Sequence, residues 1–153
     1  MSSHDSLSLA RREWMSLLSK ANSNDLEALW TAAGLGPDFS WLRSPQSGSV
    51  MVRGRAGATG APFNLGEMTV TRCAVRLENG TVGHGYVAGR SKRQAEIAAL
   101  CDAVLQTAGA DAETVEAKVL KPLAAAAEAA RRNTAEKAAA TKVDFFTLVR
   151  GDT

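Results

Sequence analysis

The first 36 residues carry apolar side chains at helical spacing in two stretches. The first stretch follows a cap-like Asp5-Ser6 pair and has its apolar positions at Ala10, Trp14, Leu17, Leu18 and Ala21. The second begins near Asn24 and has its apolar positions at Leu26, Leu29, Trp30 and Ala33. A spacing of three or four residues places such side chains on one helix face. Gly34 and the Gly36-Pro37 pair then act as helix stops, so residues 1–36 are predicted to form a helical hairpin.

Between residues 37 and 89 the hydrophobic period changes to about two residues, which is typical of β-strands. Alternating segments occupy residues 39–43, 50–55, 68–77 and 81–87. Residues 44–48, rich in Ser, Pro, Gln and Gly, separate the first two segments, and Asn79-Gly80 separates the last two. Asn-Gly between alternating segments is a strong hairpin signal. The pattern predicts a four-stranded antiparallel meander.

The remaining 64 residues, 90–153, return to helical spacing and then depart from it. Ser91 followed by Gln94 is a capping-box pattern that opens a helix over residues 90–109, closed by Gly109. Its apolar stripe consists of Ile97, Cys101, Val104, Leu105 and Ala108. Residues 111–120 favour a short helix, and Pro122 suits the first turn of an alanine-rich helix. Residues 143–149, VDFFTLV, are apolar at odd and even positions and predict a buried extended segment.

These segments predict one α+β domain over residues 1–153. Its parts are a helical hairpin (1–36), a four-stranded antiparallel sheet (37–89), a helix (90–109) and a C-terminal arm (110–153) made of an alanine-rich helix and an extended apolar tail. The composition, 45% hydrophobic and 22% charged residues, is that of a globular protein with its own core.

Charge and cysteine content exclude several function classes. A net charge of +2 is too small to indicate nucleic-acid binding by itself. Cys73 and Cys101 have neither CxxC spacing nor clustered histidines, so no metal site is predicted. No run of 18 apolar residues and no apolar leader is present. Two lone thiols fit a reducing cytosol, although their pairing stays open, so the expected location is the cytoplasm.

A glycine-rich segment between two predicted strands is one candidate binding site. Residues 53–67 contain Gly54, Gly57, Gly60 and Gly66. Backbone amides in such a loop can cradle a phosphate. The segment lacks the GxxxxGK[ST] and GxGxxG motifs, so a long loop that needs positive φ angles is the alternative.

Arginines on alternate strand positions form a second candidate. Arg72 and Arg76 share one face of their strand, and Arg53 and Arg55 share one face of another. If the strand registers align, the four arginines form one patch suited to phosphate or carboxylate. A merely solvated sheet face is the alternative.

Cations also surround the start of the helix after the sheet. Arg90, Lys92 and Arg93 lie where the helix dipole disfavours positive charge. A docked anion or acidic partner would explain them. A surface helix that tolerates a small penalty is the alternative.

The sequence contains no recognisable catalytic constellation. His4 lies near the N-terminus, and His84 lies in the glycine-rich stretch GTVGHGYVAG, for which a structural or exposed role is preferred. Neither GxSxG nor HExxH is present, and the carboxylates are scattered, including Asp102. No catalytic and no metal-binding residue is predicted, which favours a subunit or a binding module.

Three segments of the chain resemble the PhnG family, which belongs to the bacterial carbon–phosphorus lyase machinery. They are RREWMSLL, the central GRAGATGAPFNLGEMTVTRCAVRLENGTVGHGYVAGRSKRQAEIAALCDA, and KVDFFTLVRGD. The resemblance implies a subunit that assembles with PhnH, PhnI and PhnJ into a cytoplasmic core complex with twofold symmetry. It implies no membrane partner and no nucleic-acid partner, and a homo-oligomer of the isolated subunit stays open.

The resemblance also implies a reaction. With PhnH, PhnI and the ATPase-like PhnL, such subunits transfer the ribose triphosphate of MgATP to methylphosphonate, which releases adenine and forms α-D-ribose 1-methylphosphonate 5-triphosphate. PhnI is regarded as carrying the nucleosidase chemistry, and PhnJ the later radical cleavage. MgATP is then a substrate of the complex, no cofactor is bound by this subunit, and the chain is part of a transferase without being catalytic alone.

Two other function classes remain open from the residues. One is a free-standing nucleotide- or RNA-binding module that uses the basic sheet face, although only Tyr86 offers a stacking surface on the central strands. The other is a small hydrolase with an unrecognised site. The apolar tail, with Phe145, Phe146, Leu148, Val149 and Arg150, is predicted to dock across a subunit boundary, and its addition as a strand to its own sheet is the alternative.

Overall fold

The computed structural model describes the backbone of residues 3–55 and 60–150 and the side chains of residues 10–55 and 60–141. The elements are α1 (Ser3–Lys20), α2 (Ser23–Ala33), β1 (Phe39–Arg55), β2 (Pro62–Leu77), β3 (Val82–Ala88), α3 (Lys92–Leu105), α4 (Ala110–Val115), a π-helical turn (Glu116–Leu120) and α5 (Lys121–Arg150). The α+β class is confirmed.

The predicted N-terminal helical hairpin is present. The Asn22 side chain accepts hydrogen bonds from the backbone N–H groups of Asn24 (3.0 Å) and Asp25 (3.2 Å), which caps α2. Gly34 ends α2 in the left-handed region at φ 69°, as its position predicted. Leu18, Leu26 and Trp30 from the two helices are buried in the core.

The sheet has three antiparallel strands in the order β1-β2-β3, so the prediction of four strands is wrong. Residues 44–48 are not a loop, because Gln46 pairs with Arg72 and Gly48 pairs with Val70 within one continuous β1. Register shifts between Trp41 and Gln46 absorb the Ser44-Pro45 pair. Such bulges let a strand carry a proline without ending.

One face of the sheet packs closely on α3 because both elements present small residues. A Cβ added at Gly83 would lie 2.1 Å from the carbonyl oxygen of Ala99, and one at Gly85 would lie 2.1 Å from that of Ala95. Glycine is therefore required at both positions. The predicted alternation along β2 is confirmed, since Cys73, Val75 and Leu77 are buried.

The helix after the sheet begins as predicted but completes its cap differently. The Ser91 hydroxyl accepts a hydrogen bond from the Gln94 backbone N–H at 3.1 Å. The Gln94 side chain does not return to Ser91. It donates instead to the carbonyl oxygens of Ala21 (2.8 Å) and Leu18 (3.4 Å) at the end of α1, and so joins the helical hairpin to α3.

In the C-terminal arm, α5 runs as one helix from Lys121 to Arg150, so the prediction of an extended tail at residues 143–149 is wrong. No glycine or proline stands between Pro122 and Gly151, and alanine, glutamate, lysine and arginine favour helix. Helix formation is cooperative, so residues 143–149 continue the preceding turns in spite of their β-like composition. Residues 124–141 are mostly exposed. Within the described residues, no helix is long and apolar enough to cross a membrane.

Candidate functional site

The β1–β2 hairpin extends beyond the three-stranded part of the sheet as a two-stranded ribbon. Since β3 pairs with β2 only over residues 70–76, residues 49–55 and 62–69 pair with each other alone. This ribbon exposes large apolar side chains: Met51 (58% exposed), Val52 (36%), Phe63 (46%), Leu65 (63%) and Met68 (42%). A two-stranded ribbon is at best marginally stable in water, and a group of exposed apolar side chains marks an interaction surface.

The predicted patch of four arginines does not form. Arg53 pairs with Asn64 and Arg55 with Pro62 at the far end of the ribbon, whereas Arg72 pairs with Gln46. Eight residues of strand between Asn64 and Arg72 span about 26 Å. The strand registers therefore leave Arg72 and Arg76 on the sheet and carry Arg53 and Arg55 away from them.

The glycine-rich segment is also shorter than predicted. Gly54 lies within β1 and Gly66 within β2, where Gly66 has a φ of +152°. Gly60 immediately precedes β2, and Gly57 lies outside the described residues. Gly54 and Gly66 thus do not belong to one phosphate-binding loop.

The sheet face opposite α3, here called the open face, carries Arg43, Arg72 and Arg76. The strand registers place residues side by side in three rows across it: Gln46, Arg72 and Tyr86; Arg43, Ala74 and His84; Ser40, Arg76 and Val82. Arg43, Arg72 and His84 are exposed, whereas Ala74 is only 8% exposed. The long side chains therefore stand around a small central residue.

Residues of the first two rows line three cavities. Arg43, Arg72, Ala74, His84 and Tyr86 line a cavity of about 220 Å³. Arg72 also lines a neighbouring cavity of about 120 Å³ with Gln46 and Ser49. His84 and Tyr86 line another of about 330 Å³ beside Met15, Ser16 and Ser19 of α1. The three cavities share lining residues, since Arg72 borders two of them and His84 and Tyr86 also border two.

The cations at the start of α3 do not form a single anion site. Arg93 contacts Glu96 at 3.1 Å and Glu27 at 3.8 Å, so carboxylates of the same chain offset its charge. Arg90 and Lys92 are exposed. A docked anion or acidic partner beside Arg90 and Lys92 stays a prediction.

Sequence reasoning missed a buried polar junction centred on Asp102. The carboxylate of this fully buried residue accepts hydrogen bonds from Arg11 Nε (3.0 Å) and a terminal Arg11 nitrogen (2.9 Å), from Trp14 Nε1 (2.9 Å) and from the His84 backbone N–H (2.9 Å). The hydrogen bond to Asp102 raises the pKa of Arg11, an effect that partial burial offsets in part. The junction joins α1, α3 and the edge strand β3. The i, i+3 spacing of Arg11 and Trp14 was the only sequence signal for it.

The two cysteines are buried, free thiols. Burial raises the pKa of Cys73 to about 11 and that of Cys101 to about 12. The Cys73 thiol donates to the carbonyl oxygen of Ala95 at 3.2 Å. Neither group is a reactive thiolate near neutral pH, and the described residues contain no cluster of three His, Cys, Asp or Glu side chains that could hold a metal ion.

Comparison with known sequences assigns the chain to a family. The sequence profile of the family described as phosphonate metabolism protein PhnG matches residues 9–151. The chain belongs to the PhnG family. It is also 48% identical over 142 residues to the α-D-ribose 1-methylphosphonate 5-triphosphate synthase subunit PhnG of Rhizobium meliloti (strain 1021), a match that covers 93% of this chain and 90% of that relative.

Membership of the PhnG family confirms the resemblance inferred from the sequence. The segments that carried it include Arg11 and Trp14 in RREWMSLL and Asp102 in AALCDA. In the structure these three residues form the buried junction. Two of the segments that carried the resemblance thus meet at the buried junction of this chain.

Proposed function

We propose that this chain is a subunit of α-D-ribose 1-methylphosphonate 5-triphosphate synthase that contributes assembly surfaces and is not catalytic alone. The observation that carries this proposal is 48% identity over 93% of the chain to a relative named as a subunit of that synthase. Its expected partners are PhnH-, PhnI- and PhnJ-like subunits and a PhnL-like ATPase in a twofold-symmetric assembly. MgATP is then a substrate of the assembly, and the subunit holds no cofactor of its own.

The described side chains support an accessory role. Transfer of a ribose triphosphate to a phosphonate displaces adenine at the anomeric carbon, a step that positioned cations and hydrogen-bond donors assist. Both thiols are buried, and the Asp102 carboxylate is committed to Arg11, Trp14 and His84. These groups hold the fold together and are not presented to a substrate.

The ribbon is the surface best suited to bind a partner subunit. Its exposed apolar side chains, with Leu65 at 63% and Met51 at 58%, would each contribute about 1.5–3 kcal/mol if fully buried. Arg53 and Arg55 at the far end of the ribbon favour acidic residues at the rim of the partner's groove. A partner that covers the ribbon would also supply the additional layer that a two-stranded hairpin lacks.

The test is co-expression of the tagged chain with the other synthase subunits, followed by native mass measurement and an assay of adenine release. We expect the wild type to form the complex and the isolated chain to release no adenine. The double variant Met51→Ser/Leu65→Ser should fold but lose the complex. Leu42→Ser, which changes a residue 48% exposed outside the ribbon, is the matched control and should assemble normally.

The outcomes separate the two parts of the proposal. Adenine release by the isolated chain would contradict the accessory role. Failure of the wild-type chain to bind any of the other subunits would contradict the subunit function. Normal assembly of Met51→Ser/Leu65→Ser, or equal loss with Leu42→Ser, would show that the ribbon is not the docking surface.

A further inference from the structure

The open face places hydrogen-bond donors around one small residue. Ala74 of β2 pairs directly with Arg43 of β1 on one side and with His84 of β3 on the other. Arg72 lies two residues along the same face, between Gln46 and Tyr86. Directly paired side chains start about 4.5–5.5 Å apart, and residues two apart on a strand start about 7 Å apart. These donors can therefore converge on one ligand above the Ala74 methyl group.

The charge of these donors is not offset within the described part of the chain. Arg11 pairs with Asp102, Arg93 with Glu96, and Arg131 with Glu128. None of the ion pairs between described residues involves Arg43, Arg72 or Arg76. The two rows around Ala74 contain no carboxylate, so a ligand with several negative charges would meet cations and neutral donors only.

We propose that Arg43, Arg72 and His84 form a binding site for an oligophosphate on the open face, with Gln46 and Tyr86 as neutral donors. The guanidinium fork of arginine matches phosphate oxygens, and two forks suit adjacent phosphate groups. Arg43, Arg72, His84 and Tyr86 line the cavity of about 220 Å³. Arg72 also lines a second cavity with Gln46, and His84 and Tyr86 line a third, so these side chains border a row of cavities in which a linear phosphate chain has more donors within reach than a single compact anion has.

The phosphate chain could be free or carried by a nucleotide, and Tyr86 is the residue that would distinguish the two. Its ring is 44% exposed at the edge of the cavity, where an adenine base could stack on it. The inference rests on the proposed function only in the choice of triphosphate as the ligand to be tested. It is tested on the full chain alone, so its failure and the failure of subunit assembly are separate results.

The experiment is calorimetric titration of the full chain with inorganic triphosphate, ATP and adenosine, at low and high salt. We expect saturable binding of triphosphate that weakens with salt. Arg72→Ala and Arg43→Ala should each weaken binding by about tenfold or more, and Arg72→Lys should restore only part of it because the fork is lost. Ala74→Leu should block the site with no change in charge.

The double variant Arg131→Ala/Arg132→Ala is the matched control for Arg43→Ala/Arg72→Ala. Both pairs remove two exposed arginines, and the control pair forms its ion pairs with Glu128 on α5, away from the open face. It should bind triphosphate as the wild type does. An equal loss in both double variants would mean that binding follows net charge, and would overturn the site.

The remaining outcomes are equally decisive. Equal affinities for ATP and triphosphate identify the phosphate chain as the ligand, whereas tighter ATP binding that Tyr86→Ala abolishes identifies a nucleotide. Absence of saturable triphosphate binding by the folded wild type would overturn the proposal. So would adenosine binding as tightly as ATP, or a single-stranded RNA oligomer that binds the same residues more tightly than triphosphate does.

Discussion

Replacing Asp102 with alanine should destabilise the fold more than any other removal of a single described carboxylate. The substitution leaves the Trp14 indole N–H and the His84 backbone N–H without their acceptor and removes the ion-pair partner of Arg11. The Trp14 hydrogen bond is buried, so water does not readily replace the carboxylate there, whereas the His84 and Arg11 bonds are partly buried. The links that Asp102 makes from α3 to α1 and β3 are then lost, and the hydrogen bonds of Gln94 to the end of α1 and of Gln106 to Val82 remain.

The expected loss in the free energy of unfolding of Asp102→Ala can be estimated from these contacts. Breaking a buried ion pair by removing one partner costs about 3–5 kcal/mol, and each buried donor left unsatisfied costs about 1–3 kcal/mol. The Arg11 side chain is 34% exposed and can regain water, which favours the lower end. We expect a loss of about 3 kcal/mol in the free energy of unfolding, which corresponds to about 6–12 °C in melting temperature for a chain of this size.

The assay is urea unfolding followed by far-UV circular dichroism and tryptophan fluorescence. Glu96→Ala is the matched control, because it removes a carboxylate from the same helix whose ion pair with Arg93 lies near the surface. That pair should contribute at most about 1 kcal/mol. Trp14→Phe keeps most of the ring and removes one donor, so it should cost about 1 kcal/mol and stays measurable if Asp102→Ala does not fold. Equal stabilities of Asp102→Ala and Glu96→Ala would refute the reasoning.

Three further predictions address packing, pH and the C-terminal helix. Gly85→Ala should prevent normal packing of α3, because the added Cβ would lie 2.1 Å from a backbone carbonyl oxygen, whereas Gly36→Ala meets no atom within 4 Å and should melt as the wild type does; similar melting of both would contradict this. Burial raises the pKa of Cys73 to about 11 and of Cys101 to about 12, so the folded chain keeps protons that the unfolded chain releases above 9.0. The free energy of unfolding measured in urea should therefore fall as pH rises from 9 towards 11, and Cys101→Ala should make that fall less steep. The same pH dependence in Cys101→Ala and wild type would contradict this prediction. Deleting residues 143–153 should leave the melting transition unchanged and abolish partner binding in the co-expression assay; a collapse of monomer stability or an intact complex would contradict the docking role.

Features that depend on neighbours in sequence could be predicted from the sequence. Ser91 caps a helix and Gly34 ends one, because side-chain and backbone groups a few residues apart decide these features. The cap of the second helix is Asn22, two residues before its predicted start. The Asn79-Gly80 turn between β2 and β3 follows from the same local chemistry. Membership of the PhnG family was also inferred from segments of the chain alone. The two N-terminal helices, the helix after the sheet and the side of β2 that is buried followed from hydrophobic period.

Features that depend on distant residues appeared only in the tertiary structure. The sequence around Pro45 resembles a loop, but pairing with β2 and two bulges keep it in one strand. Composition suggested an extended tail at residues 143–149, but cooperative extension of α5 makes it helical. The first error arose because pairing with distant residues of β2 outweighed local composition, and the second because extension of the preceding helical turns did.

The neighbours of Asp102 and of the sheet arginines could not be predicted from the sequence either, because they are distant along the chain. Asp102 looked like one of several scattered carboxylates, yet it is 91 positions from Arg11 along the chain and bonded to it in the fold. Arg53 and Arg72 looked like one patch, yet strand register separates them and places Gln46 beside Arg72 instead. Alternation along a strand determines which side chains share a face, but register determines which of them meet. Register is set by long-range pairing and bulges, so the sequence alone predicted an arginine-bearing sheet face, and only the tertiary structure decided which residues surround Ala74.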